Sequence, residues 1–379
     1  MARIVVGGWV TGLPTASFFW HSVSFALGFR EAGHDVWFLE DSGDYPWCYD
    51  PETEELDPSA RYGVRFVADE MAAVGMTGRW VFRHGPTGRH DGMSEEETAD
   101  VLNEADVFVN VSLTTPMREE YRRIPHRLAI DTDPVFTQVR ISQGDWLLAD
   151  VAESHTRLFT YGRPPLPGQQ HDWLPTRQPV VSRMWPVQPR PIADAPFTTI
   201  MSWQAYAPVV HEGVEYGAKD KTSLELLDLP RRTTARLSVA LGGGDNHWTA
   251  RHLFGDNGWE ITDPMEANGT SDRFRHFLAA SAGEIGIAKH GYVAARSGWF
   301  SERTCCYLAS GRPAVVSDTG WPEWLPSGEG VFAYNTAAEA ACSIDAIRAD
   351  PERHARAARK IVEEHFEAID VCQKLLAAL

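Results

Sequence analysis

The sequence predicts an α/β protein of two Rossmann-like lobes with a cleft between them, and three observations predict it. Short apolar strands alternate with amphipathic helical stretches along most of the chain. A proline-crowded stretch interrupts that rhythm near the middle. The length, 379 residues, suits two ordinary cores better than one.

In chain order, Ile4 to Val6 is an apolar strand closed by Gly7-Gly8, and a loop with Gly12 and Pro14 follows. An amphipathic helix is expected from about Phe18 to Ala32, with Gly33 as its C-cap, and Asp35 to Leu39 is the second strand. Together these make a βαβ unit. Further strands are expected at Arg65 to Val67, Val107 to Val111 and Arg127 to Ile130, with helices around Ala68 to Ala73 and Ser94 to Leu102. Such alternation implies a parallel sheet covered on both faces. From Pro164 to Pro196, the runs PPLPG, LPTRQP and WPVQPRP cannot continue a helix or a central strand and read as a connector. The α/β rhythm then restarts with strands at Phe197 to Met201, Leu237 to Leu241, Glu284 to Ala288 and Ala314 to Ser317, and Pro351 to Leu379 reads as helix. The boundaries are placed at 1–185 for the first lobe, 186–196 for the linker and 197–355 for the second lobe. A C-terminal helix, 356–379, is expected to pack back on the first lobe.

The net charge of −17 argues against a nucleic-acid partner, because phosphate backbones attract clusters of Lys and Arg. Five cysteines without C-x-x-C spacing give neither a zinc site nor a disulfide framework. The opening MARIVVGGWVTG has too short an apolar run for a signal peptide, and no stretch approaches the ~20 apolar residues of a membrane span. A cytoplasmic protein is therefore expected.

The most informative segment is AKHGYVAARSGWFSERTCCYLASGRPAVVSDTGWPEWLP, from Ala288 to Pro326. Ser301 is a good N-cap, Glu302 to Ser310 is a helix and Gly311 ends it. A helix that opens into a cleft offers free N–H groups and a positive dipole end to an anion. Lys289, Arg296 and Arg303 are close in sequence and suit a diphosphate, while Glu302 suits the hydroxyls of a ribose or sugar. The alternative is a capping Glu302 among solvated cations. Asp318-Thr319-Gly320, ending the next strand, are grouped with the donor residues.

GWFSERTCCYLASGRPAVV resembles the donor-binding segment of GT-B glycosyltransferases, enzymes of two Rossmann-like lobes that use a nucleotide sugar. It is similar to the G-W-x-S turn of the plant and antibiotic type, which implies diphosphate contacts at His290, Gly298 and Ser301. Its Ala-Ser-Gly-Arg-Pro ending resembles the E-x7-E group, but the positions of those two glutamates hold Gly298 and Cys306. HSVSFALGFREAGHDVWFLE is similar to the first helix of many GT-B enzymes, which implies that Gly7, Gly8 and Gly12 line the cleft floor. His21, read as lying at the start of that helix, is then placed to deprotonate an acceptor hydroxyl, its ring kept neutral by the helix end. A histidine merely packed in the first turn is the alternative.

Asp131 and Asp133 end a strand of the first lobe, where a carboxylate binds acceptor hydroxyls or acts as base; turn carboxylates ahead of Pro134 are the alternative. By resemblance, Lys219 or Lys221 reaches the pyrophosphate; a surface lysine is the alternative. Gly242 to Gly244 offers a close approach to a base or ribose, and Trp203 offers a stacking face or fills the hinge. The expected reaction moves a sugar from a UDP- or dTDP-linked donor to a small-molecule acceptor, for instance a natural product, with no metal and no further cofactor. A homodimer is compatible with it. A base such as His21 favours inversion, whereas the E-x7-E likeness favours retention. Three rivals remain: an NAD-dependent oxidoreductase using the first glycine loop, a GT-B-fold sugar-nucleotide epimerase and a non-catalytic GT-B accessory protein.

Overall fold

The computed structural model describes residues 1–44, 48–243 and 247–379. In the first lobe the strands are β1 (Arg3–Gly7), β2 (Asp35–Asp41), the short pair β3 (Tyr49–Asp50) and β4 (Glu55–Leu56), β5 (Trp80–His84), β6 (Arg89–Gly92), β7 (Val107–Val111), β8 (His126–Asp131), β9 (Arg157–Thr160) and β10 (Trp173–Pro175). Eight of them form one sheet in the order β10-β9-β8-β7-β1-β2-β5-β6, parallel except for the β5–β6 hairpin. Val5 of the central β1 sits opposite Trp37 on one side and Phe108 on the other.

The second lobe adds β11 (Phe197–Ser202), the hairpin β12 (Val209–His211) and β13 (Val214–Tyr216), β14 (Leu237–Gly242), β15 (Glu260–Thr262), β16 (Gly283–Gly286), β17 (Ala314–Ser317) and β18 (Val331–Tyr334). Apart from the hairpin, these strands form a parallel sheet in the order β15-β14-β11-β16-β17-β18. The central strands of both sheets are buried along their length, as layers of helix on each face require. Both sheets are thus open, mainly parallel and helix-covered.

The structure corrects several expectations. Arg65 to Val67 is no strand but part of the helix Arg61–Ala73. Its buried Gly63, Phe66, Val67, Glu70 and Met71 recur with helical period, which overrides the β-propensity of three residues. The first helix starts at Ala16, not Phe18. β16 ends at Gly286, so Ile287 and Ala288 belong to the segment that lines the cleft.

The C-terminal tail is two helices, Pro351–His365 and Ala368–Ala377, rather than one. The break is held by Val180, whose N–H donates to Phe366 O (2.7 Å) and whose carbonyl accepts from Ala368 N (2.9 Å). The final helix lies on the first helix, where Gly28 permits the contact: a Cβ there would come within 2.7 Å of Cys372 Sγ. The chain therefore crosses from the second lobe back to the first.

Candidate functional site

The Ser301 helix, Glu302–Ala309, is aimed by the turn before it. Gly298 has φ +74°, a left-handed conformation that suits glycine, and its N–H donates to Thr319 O at 2.7 Å. Trp299 stacks on Tyr292 with ring centroids 4.4 Å apart, and its indole N–H reaches Thr132 O of the first lobe at 3.1 Å. Phe300 packs against Trp321 and Phe366, and its carbonyl accepts from Gln178 Nε2. Ser301 Oγ then accepts from Arg303 N at 3.2 Å, while the Thr304 amide has no partner among the described residues. The helix opens with an amide still to be satisfied, pinned between the lobes.

Two narrow cavities meet at this helix end. One runs along β11, β16 and β17 and is lined by Lys219, Glu284, Ser301, Arg303, Thr304, Ser317 and Thr319 among others. Its charged groups are unusually poor in partners. Lys219 is buried, and its ammonium makes no hydrogen bond or ion pair among the described residues. Burial, with Arg303 adding to it, holds its ammonium well below the usual lysine value. Glu284 is buried with Oε2 unpartnered, and burial pushes its carboxyl up to about 7 against the pull of the Thr304 hydroxyl, Arg303 and Lys219. Arg303 Nε is also buried without a hydrogen-bond partner, while Arg303 Nη1 lies 3.6 Å from Glu302 Oε1. Buried polar atoms of native proteins are normally satisfied, so this concentration makes the cavity the candidate site.

The second cavity lies between the lobes and is lined by Trp20, His21, Tyr161 and Gln178 on one side and Glu302, Arg303 and Cys306 on the other. His21 Nε2 is 2.9 Å from Ser112 Oγ, which is 2.7 Å from Thr132 Oγ1. When Nε2 carries the proton, Nδ1 is left as a buried acceptor without a partner. His21 lies in the second turn of its helix, not at the start. Its pKa is lowered by burial, with Glu302 pulling the other way, rather than by a helix end. For Glu302, burial alone would raise the carboxyl, but Arg303, His21 and Lys219 hold it below the ordinary value.

Other sequence candidates lie apart from these cavities. Glu40, at the end of β2, accepts from the amides of Val10 (2.9 Å), Thr11 (2.7 Å) and Gly12 (3.2 Å). The first glycine loop therefore cradles the protein's own carboxylate, which removes it as a dinucleotide phosphate cradle and disposes of the oxidoreductase rival. Gly7 and Gly8 face Thr115, Phe108, Ser22 and Phe38 within their own lobe, and neither cavity is lined by Gly7, Gly8 or Gly12. Arg296 is exposed and pairs with Glu323 (3.2 Å) and Asp318 (3.8 Å). Asp318 also caps the turn at Gly320, and Thr319 alone of that trio lines the first cavity. His290 Nδ1 accepts from Gly217 N at 3.2 Å.

Lys289 is engaged with Asp133 across the cleft (3.0 and 3.1 Å), so neither is free. Asp131 is a turn carboxylate, accepting from Asp133 N, Thr137, Gln138 and Thr160. Lys221 pairs with Glu215 at the surface, and Trp203 packs on Phe254 in the second lobe's core. Of the glycine run, Gly244 lies outside the described residues. Sequence reasoning missed Glu284, Thr304, Tyr161 and Gln178. Only Glu284, a carboxylate inside an otherwise apolar strand, carried a signal.

No protein-family model matches the chain, and no curated protein matches it. Solved structures do. An alpha-glucosyltransferase in complex with UDP and a 13-mer DNA containing a HMU base superposes with a TM-score of 0.60 at 9% identity, over 99% of this chain and 98% of the other. Sucrose-phosphate synthase from Thermosynechococcus elongatus gives 0.55 at 11% identity over 100% of both chains. AviGT4, a glycosyltransferase involved in avilamycin A biosynthesis, gives 0.52 at 12% identity over 100% of this chain and 97% of the other. With these full-length likenesses and its two mainly parallel sheets, the chain has the GT-B fold of nucleotide-sugar glycosyltransferases.

Proposed function

We propose that this protein transfers a sugar from a UDP- or dTDP-linked donor to a hydroxyl of a small-molecule acceptor. The observation that carries the proposal is the pair of cations, Lys219 and Arg303, with unused hydrogen-bonding capacity beside the amide-rich start of the Ser301 helix. A diphosphate supplies the acceptor oxygens that these donors lack. In the reaction the bond between the anomeric carbon and the diphosphate oxygen breaks, and its electron pair leaves with the diphosphate. Lys219, Arg303 and the helix dipole stabilise the charge that develops there, without a metal having to do so. The acceptor oxygen bonds to the anomeric carbon, and its proton passes to His21, whose buried ring is neutral.

Glu302, across the second cavity from His21, is assigned to the sugar or ribose hydroxyls. Ser301 and Gly298 are assigned to shaping the diphosphate turn rather than to catalysis. A small acceptor, for instance a natural product, fits the net charge of −17 better than a nucleic acid does.

A thermal-shift panel of UDP-, dTDP- and GDP-sugars tests the reading, since a ligand that binds only the native state must raise Tm. One sugar nucleotide is expected to stabilise the protein and to release its diphosphate on turnover with an acceptor mixture. Lys219→Met and Arg303→Met should each reduce the shift. The reading fails if no sugar nucleotide shifts Tm, or if both variants keep the full shift.

A further inference from the structure

His21, which lines the second cavity, is held from behind by two hydroxyls. Its Nε2 lies 2.9 Å from Ser112 Oγ, and Ser112 Oγ lies 2.7 Å from Thr132 Oγ1. Ser112 directly follows β7, and Thr132 directly follows its parallel neighbour β8. The backbone at the serine is unusual. Ser112 and Leu113 are both left-handed, with φ +61° and +54°, a conformation that glycine adopts freely and other L-residues avoid. The surroundings impose it. Ser112 N donates to Ile130 O at 2.8 Å, and Leu113 is buried in the first lobe's core. The buried Asn110 side chain accepts from Thr115 N (3.1 Å) and donates to Thr115 O (2.9 Å), while Thr114 Oγ1 donates to Val111 O (3.0 Å). Two successive non-glycine residues held this way mark a side chain whose direction matters, and at Ser112 that side chain meets His21.

The other ring nitrogen sets the direction of the hydrogen bonds. Nδ1 is buried without a partner. If Ser112 donated to Nε2, Nδ1 would be a buried N–H with no acceptor. If Nε2 donates to Ser112, Nδ1 is a lone pair, and a buried acceptor is left unsatisfied more readily than a buried donor. The serine's own proton then goes to Thr132 Oγ1. We infer that Ser112 is a positioning residue for His21: its oxygen accepts from Nε2, fixes the ring's tautomer and orientation, and keeps the Nδ1 lone pair for the proton of the acceptor hydroxyl. The serine–threonine pair is thus an uncharged counterpart of the carboxylate that orients the histidine of a serine hydrolase. The catalytic half of this inference rests on the function proposed above, in which His21 is the base. The tautomer half rests on the hydrogen bonds alone.

Nitrogen-15 NMR of histidine-labelled full-length protein without nucleotide, at about pH 8 where the imidazole is neutral, tests the tautomer, with His21→Gln assigning the signal. In the wild type the proton is expected on Nε2. Ser112→Gly removes the hydroxyl and suits φ +61°, so Tm should stay within a few degrees of wild type while both tautomers become populated. Thr132→Val, which keeps the shape and removes the serine's acceptor, should mix the tautomers as well. In turnover of the sugar nucleotide that stabilises the protein most, with an acceptor mixture, Ser112→Gly should lower kcat roughly ten- to a hundredfold and leave the donor KM within a few-fold. A wild-type His21 protonated on Nδ1, or a lone Nε2–H tautomer surviving in Ser112→Gly, would overturn the inference. A fall in kcat accompanied by an equal loss of Tm and an unchanged tautomer would make Ser112 merely structural and overturn it too. If the tautomers mix and kcat holds, His21 is not the base: the proposed proton acceptor is then wrong, and the positioning of the ring by Ser112 stands.

Discussion

Replacing Glu284 by Gln gives the sharpest test of the site's electrostatics. Glu284 is buried in β16, faces the cavity of Lys219 and Arg303, and has its carboxyl pushed up from 4.5 to about 7 by burial. The native state therefore binds this proton more tightly than the unfolded chain does. The group's contribution to stability is complete below about pH 4.5 and is lost as the pH rises through about 7. At about 1.4 kcal/mol per tenfold, the gap between 4.5 and about 7 corresponds to a loss of ~3 kcal/mol. Gln keeps the shape and cannot ionise, so urea unfolding of both proteins at a series of pH values isolates the effect. The stability of Glu284→Gln relative to wild type should climb by ~3 kcal/mol between about pH 4.5 and 8. Nucleotide binding carries the same signature. A diphosphate offsets the two cations that favour the Glu284 carboxylate, so UDP should take up a proton near neutral pH in the wild type and none in the variant. A stability difference that stays flat with pH would refute the assignment of Glu284 as a buried, cavity-facing titrating group.

Three further outcomes are expected. His21→Gln should lower kcat by about 10²–10⁴-fold while leaving the UDP affinity within a few-fold of wild type, measured by turnover and calorimetry. Because burial lowers the His21 pKa below 6.5, the neutral base persists into mild acid. The acid limb of the pH–kcat profile should therefore fall below pH 6.5, and a limb at or above that value would exclude His21 as the base. Lys219→Met should weaken UDP binding by roughly ten- to a hundredfold, the worth of a charged hydrogen bond, as read by calorimetry. Glu40→Gln places an amide against the three N–H groups of the first glycine loop and should destabilise the protein by ~1–3 kcal/mol in urea unfolding, with the UDP affinity of the folded fraction unchanged.

Much of the fold is written in local pattern. IVV, VFVNV and AVVS are short apolar runs between glycines, prolines and polar turns, and each is a strand buried on both faces. The pattern fails where a short β-prone run is embedded in a longer helical period, as at Phe66 and Val67, or where tertiary contacts cut a helix, as Val180 does at Phe366. The Ser301 helix end was legible because capping is local chemistry: a serine before the helix and a glycine after it. What faces it was not. His21, Glu284 and Glu302 come together through the packing of two lobes, and no sequence spacing encodes that. Lys289 illustrates the same limit. Its charge and its proximity to Arg303 suggested a diphosphate ligand, but its partner in the structure, Asp133, lies 156 positions away in the chain.

The central claim is that Lys219, Arg303 and the opening amides of the Ser301 helix hold a diphosphate. A crystal structure of the protein with UDP tests it most directly. The β-phosphate is expected within hydrogen-bonding distance of the Thr304 amide, Arg303 and Lys219. UDP bound elsewhere, with Lys219 and Arg303 in contact only with protein, would contradict the account.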